Sequence, residues 1–125
     1  MSMSRTKLLD SLHKLHQERR RLIRRLTREH DLAIGTVSVV NRKCGNPRCH
    51  CVEGTGHPQT LFLFKDQKSG QRKCKLVRRA DEAWMLQAGE RYREFREDLK
   101  RLRAIDLEEK RILMALAEGR AIHYE

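Results

Sequence analysis

One stretch near the middle of the chain limits its fold more than any other. Cys44, Cys49 and Cys51 form a C-x4-C-x-C array, and five residues separate Cys51 from His57. Zn²⁺ in structural sites takes four N or S donors in a tetrahedron, offered by tight turns plus a more distant strand or helix. Gly45, Asn46 and Pro47 let the chain curl back between Cys44 and Cys49, and Gly54 and Gly56 do the same before His57. The spacing predicts Cys44, Cys49 and Cys51 as ligands, with either Cys74 or His57 as the fourth. His50 has a weaker claim, squeezed between two ligand cysteines. Glu53 is the only carboxylate inside the loop, which is thin support for a catalytic metal with its general base. Reduced, metal-free cysteines and a redox pair are the competing readings.

Such a staple answers a need. With 125 residues, 5% aromatics and 36% charged side chains, the chain cannot build a thick core, and domains this small lean on metals, coiled coils or oligomerisation. No run of 18 apolar residues exists, and the N-terminus lacks the apolar stretch of a secretory signal. The expectation is a cytoplasmic protein, off the membrane, whose thiols bind metal rather than form disulfides.

The flanks read as helices. Over residues 5–33, Leu8, Leu12, Leu15, Leu22 and Leu26 make a heptad-like seam in which Arg19 takes an apolar slot, with Ser4 as N-cap and Gly35 as terminator. Over 80–118, opened by Asp81 and Glu82 and closed by Gly119, the stripe is Met85, Ala88, Tyr92, Phe95, Leu99, Leu102, then Leu113 and Leu116. Asp106 and Glu109 break it while Ile105 and Ile112 come one position early, which implies a stutter in the repeat. Trp84 is expected to plug the core. Between the helices, Gly35–Val40, Thr60–Phe64 and Lys73–Val77 read as strands, the last two joined by a turn at Ser69-Gly70. The expected fold is α+β and a single domain over 1–125. Its two long helices (5–33 and 80–119) form an antiparallel coiled-coil hairpin, with a small zinc-stapled antiparallel β unit (34–79) between them.

Charge is uneven. Residues 34–79 carry ten basic and two acidic side chains and residues 1–33 nine and four, whereas 80–125 carry nine and eleven. The excess on the first two thirds points to a polyanion, DNA more readily than RNA, bound by phosphate neutralisation. Candidate contacts are Arg20, Arg21, Arg24, Arg25 and Arg28 in the first helix, and Arg42, Lys43, Arg48, Lys73, Lys75, Arg78 and Arg79 in the β unit. Alternation sets Lys73 and Lys75 on one face of the third strand and Cys74 on the other. No catalytic constellation or phosphate-cradling Gly loop stands out.

From Ile34-Gly-Thr-Val-Ser through Arg42-Lys-Cys-Gly-Asn-Pro-Arg-Cys-His-Cys and on to His57, the chain resembles a family of small uncharacterised bacterial proteins with a CGxPxCxC…H core, often encoded beside transposase genes. The chain departs from that pattern after the histidine, at Pro58-Gln59-Thr60, and in the later hairpin, at Ser69-Gly70-Gln71. The resemblance implies a bacterial, mobile-element context and supplies no reaction. The resulting expectation is a non-enzymatic nucleic-acid-binding protein with structural Zn²⁺, a mobile-element accessory factor. The alternative is a coiled-coil adaptor whose helices bind a transposase, another protein or a second copy. A metal-dependent nuclease subunit is a weaker third reading.

Overall fold

The computed structural model describes residues 4–125. In chain order these form α1 (Arg5–Leu26), β1 (Thr36–Arg42), a 3-10 turn (His50–Val52), β2 (His57–Lys65), β3 (Arg72–Leu76), a second 3-10 turn (Arg79–Asp81) and α2 (Glu82–Glu118). The chain divides into two compact units, residues 30–94 and residues up to 29 together with 95–125.

In the 30–94 unit the strands form one antiparallel sheet in the order β1-β2-β3. Thr36 lies opposite Leu63 and Arg42 opposite His57, while Leu63 also faces Cys74. Cross-strand partners share a face, so Val37, Phe62 and Lys75 lie on one side and Thr36, Leu63 and Cys74 on the other. The start of α2 covers the Val37 side. Gly89 allows this, because a Cβ there would sit 2.8 Å from Cγ2 of Val37, and the Ala33 N–H donates to the Ala88 carbonyl at 3.1 Å. Gly35 enters β1 at φ +156°, where an added Cβ would lie 2.9 Å from the Phe62 ring and 3.1 Å from Phe64 Cβ and would collide with the Leu63 carbonyl oxygen. It therefore serves sheet packing rather than ending α1.

In the other unit, α1 opens as expected, the Ser4 hydroxyl accepting from the Lys7 N–H. It closes at Leu26 rather than near residue 33. Thr27 turns its hydroxyl back onto the Ile23 carbonyl at 2.7 Å, a local bond that competes with helix continuation. Leu22 is buried with Ile105 and Ile112, and Leu113 is exposed. The inward face of α2 thus shifts to Ile105 and Ile112, the phase change anticipated from the pattern, and leaves Leu113 outside. Arg19, which interrupts the leucine seam of α1, pairs with Asp106 and Glu109, which interrupt the stripe of α2. Glu18 pairs with Arg101 at 2.7 Å and Arg25 with Asp98 at 3.2 Å.

The expected coiled-coil hairpin is not what the chain forms. The sheet lies between the helices in chain order, residues 82–94 of α2 belong to the sheet unit, and among the described residues no run of close Cα approaches joins α1 to α2 as it joins the strands. Knobs-into-holes packing requires such a run, and charged side chains stand where it needs apolar knobs. Trp84 also departs from expectation. It is 55% exposed, with its indole N–H donating to Asp81 at 3.1 Å.

Candidate metal centre

The centre is assembled by the end of β1, a short loop and the first residue of β2. Beyond Arg42 the chain turns at Asn46, whose carbonyl accepts the Cys49 N–H at 3.0 Å and whose side chain accepts the Arg48 N–H at 3.0 Å. The 3-10 turn follows, with Val52 N–H on the Cys49 carbonyl and Gly54 N–H on that of Cys51, both at 3.2 Å. Lys43 straps the loop by donating to the Val52 carbonyl at 2.8 Å. At Gly56, φ is +94° and a Cβ would lie 2.5 Å from the Arg42 carbonyl oxygen. Only glycine fits so close an approach in that conformation. It returns the chain to β1 so that His57 pairs with Arg42 and its imidazole meets the cysteines.

One ligand atom from each of Cys44, Cys49, Cys51 and His57 lies within 4.8 Å of all the others. The Sγ atoms of Cys44 and Cys51 are 3.5 Å apart, and Cys49 Sγ is 3.0 Å from His57 Nε2. At 3.5 Å the sulfurs are not bonded, since a disulfide needs about 2.05 Å, and all four cysteines are free. Thiolates bound to Zn²⁺ at about 2.3 Å stand about 3.8 Å apart along a tetrahedral edge, so the donor set fits such an ion. Cys51 is 2% exposed, which places the centre partly inside the unit.

The thiols are electrostatically unequal. The Asn46 backbone N–H, then the Cys51 and Cys49 side chains, lower the Cys44 pKa. At Cys51 the Cys44 N–H favours the thiolate, but burial and the two neighbouring cysteines outweigh it and push the thiol up. A divalent cation would remove this conflict, since it favours both thiolates at once.

The structure thus brings His57, not Cys74, to the three cysteines. Cys74 is exposed on β3 opposite Leu63. His50 sets its ring edge-on to that of His57, with Nδ1 3.9 Å from Cys49 Sγ, outside the four-residue group. All twelve basic residues singled out in the sequence are exposed, yet they are not equivalent. Arg25 is engaged by Asp98, Lys73 by Asp66 at 3.0 Å and Arg78 by Asp81 at 3.5 Å. Lys43 is the strap, and Lys75 stands 5.9 Å over the Phe64 ring. Arg20, Arg21, Arg24, Arg28, Arg42, Arg48 and Arg79 form no ion pair among the described residues. The turn at Asn46 is the curl that Gly45, Asn46 and Pro47 predict between Cys44 and Cys49. Sequence reasoning missed the Lys43 strap, which nothing local marked.

Among the described residues no helix is long and apolar enough to cross a membrane. Comparison with curated proteins and with solved structures gives no match. A protein family matches residues 12–87, from α1 across the cysteine loop and sheet to the start of α2. The chain belongs to that family, described as a domain of unknown function, DUF6788.

Proposed function

We propose that the chain is a non-enzymatic nucleic-acid-binding protein in which Zn²⁺, held by Cys44, Cys49, Cys51 and His57, fixes the shape of a basic β unit. The observation that carries the reading is the convergence of three thiols and one imidazole within 4.8 Å. Three soft sulfurs with one nitrogen suit zinc above harder cations, and four protein donors leave no open position for substrate, as in structural rather than catalytic sites. When bound, the ion supplies a cross-link between the end of β1 and the start of β2. Three thiolates with Zn²⁺ sum to about −1, so the unit stays basic, with Arg42 and Arg48 exposed at the loop. Phosphates are the complementary partner. The resemblance to small bacterial proteins encoded beside transposase genes agrees with work on DNA in a reducing cytoplasm.

Two measurements test the reading. Metal analysis of purified protein should give one zinc per chain, and a chain that folds without metal loses the staple. Affinity for a random DNA duplex should fall linearly with log salt. A flat salt dependence removes the nucleic-acid role and leaves the metal site standing.

A further inference from the structure

The arginine run of α1 is divided by the structure into two sets with different tasks. Successive helical residues are about 100° apart, so Arg24 lies about 180° from Leu15 and about 160° from Leu22 and Leu26, opposite the inward seam. Arg20 and Arg21 flank Arg24 at about 40° and 60°. Arg19 falls on the seam itself and Arg25 at its margin, and these are the two that α2 neutralises through Asp106, Glu109 and Asp98. Arg20, Arg21 and Arg24 are exposed and form no ion pair among the described residues. The nearest acid in sequence is Glu18, which is hydrogen-bonded to Arg101 and feels the Arg21 charge only at longer range, without an ion pair. Asp10 shares their side of the helix but lies about 15 Å along the axis from Arg20 at 1.5 Å per residue.

We propose that Arg20, Arg21 and Arg24 form a phosphate-binding ridge for a nucleic-acid duplex, separate from the basic loop at the metal centre. The inference rests on the nucleic-acid reading above and assigns a specific surface to it. The helix dipole alone favours cations only in the last turn; it accounts for Arg24 and Arg25 and leaves Arg20 and Arg21 unexplained. Guanidinium groups suit phosphate because they offer paired N–H donors in a plane. A duplex is favoured over a single strand because α1 has no Phe, Tyr or Trp on which unpaired bases would stack. A membrane surface is disfavoured because Leu22 is turned inward and the apolar side chains exposed on α1, Leu9 and Ile23, include no Trp or Phe to enter lipid. On the outward side, His13 and Gln17 accompany the arginines.

The test uses the full zinc-loaded chain and a random-sequence DNA duplex titrated from 50 to 200 mM salt. With about 0.9 of slope per neutralised phosphate, R20Q/R21Q/R24Q should make the log affinity–log salt slope shallower by about 2.7. R20K/R21K/R24K should keep most of the slope, and R19Q/R25Q should leave it unchanged while lowering thermal stability. An unchanged slope in the Gln variant overturns the ridge while the nucleic-acid reading survives. Wild-type protein with no salt dependence overturns both. Tight, arginine-dependent binding to anionic vesicles without duplex binding also overturns the ridge. Should the Gln variant lose its helical circular dichroism, the Lys variant carries the decision: loss of slope with charge retained and helix intact overturns the proposal.

Discussion

In the sheet unit the buried positions are Ala33, Cys51, Thr60 and Ala88, whereas in the helix unit they are Leu22, Ile105 and Ile112. The first set offers little apolar area and includes a metal-ligand candidate and a hydroxyl. The second is branched aliphatic, each side chain worth about 1.5–3 kcal/mol on full burial, and ion pairs bracket it. A three-stranded sheet with so small a core is marginal by itself, so its order should depend on the metal. The helices should not share that dependence, and each prediction below tests the difference.

Metal removal should have the largest effect. Structural Zn²⁺ contributes about 10–16 kcal/mol of apparent binding free energy to the folded state at neutral pH. Chelation, or Cys51→Ser, should therefore unfold the sheet unit while the helical signal of α1 and the distal part of α2 largely persists. Amide exchange checks this directly: protection should vanish over 36–42, 57–65 and 72–76 and survive around Ile105. Uniform loss in both units would erase the comparison. Uniform retention would remove the staple.

Acid should separate the units in the same order. Metal uptake must displace protons from thiols, including a Cys51 whose pKa is pushed up, so the metal is lost as pH falls from neutrality. In the helix unit, the hydrogen bond from Arg101 leads in holding the Glu18 carboxyl below its ordinary value. Its folded pKa being the lower one, that stabilisation is complete above the ordinary carboxylate range and is lost only as pH falls through the depressed value. A pH titration followed by metal release and helical circular dichroism should show zinc leaving first. Simultaneous transitions would mean the units are not independent.

Gly56→Ala should cost less than losing a ligand, about 1–3 kcal/mol for a strained backbone conformation. The added methyl meets the Arg42 carbonyl at 2.5 Å, so His57 must shift. Competition with a chromogenic chelator should show weakened metal affinity, with the melting of the helix unit unchanged. Equal affinity would show that the loop does not need this approach to β1.

The unequal legibility of the two units has the same origin. The cysteine array announced itself because metal ligation demands particular residue types at short spacing. The choice between His57 and Cys74 stayed open because strand register decides it. Both lie on the same face of the sheet, yet Cys74 sits opposite Leu63, six positions along β2 from His57, or about 20 Å at 3.4 Å per residue. Periodicity reports faces and carries no register. In the helices, the same pattern showed Arg19, Asp106 and Glu109 as separate interruptions. Their mutual pairing across more than 85 residues was invisible, and with it the reason no coiled-coil seam forms. Trp84 misled for a related reason: its indole N–H had a local acceptor in Asp81, which keeps the ring at the surface.

Arg19→Met examines the helix unit in isolation. It removes the partner of Asp106 and Glu109, whose side chains keep 58% and 17% of their surface in solvent. Water recovers the interaction at Asp106 and much less of it at Glu109, so the expected cost is about 1–2 kcal/mol, above that of a fully exposed pair and below that of a buried one. Thermal melting should show this loss with zinc content unaltered. A cost of several kcal/mol would mean that the ionic cluster, rather than Leu22, Ile105 and Ile112, organises the unit.

Thr60→Val is the finest probe of the sheet unit and has the opposite sign. Thr60 is 3% exposed on β2, and its hydroxyl oxygen has no hydrogen-bond partner among the described residues. Its backbone is not at fault, since the Thr60 carbonyl accepts the Val77 N–H at 2.8 Å. Valine keeps the β-branched shape the strand favours and replaces an unmatched polar atom with a methyl. The substitution should stabilise the zinc-loaded sheet unit by about 1 kcal/mol, read as resistance to denaturant at fixed metal concentration. Such a gain is too small to replace the metal, so the Thr60→Val protein, once chelated, should still unfold in the sheet. A variant that held its strands without zinc would show that the poverty of this core, and not the loop geometry, made the staple necessary.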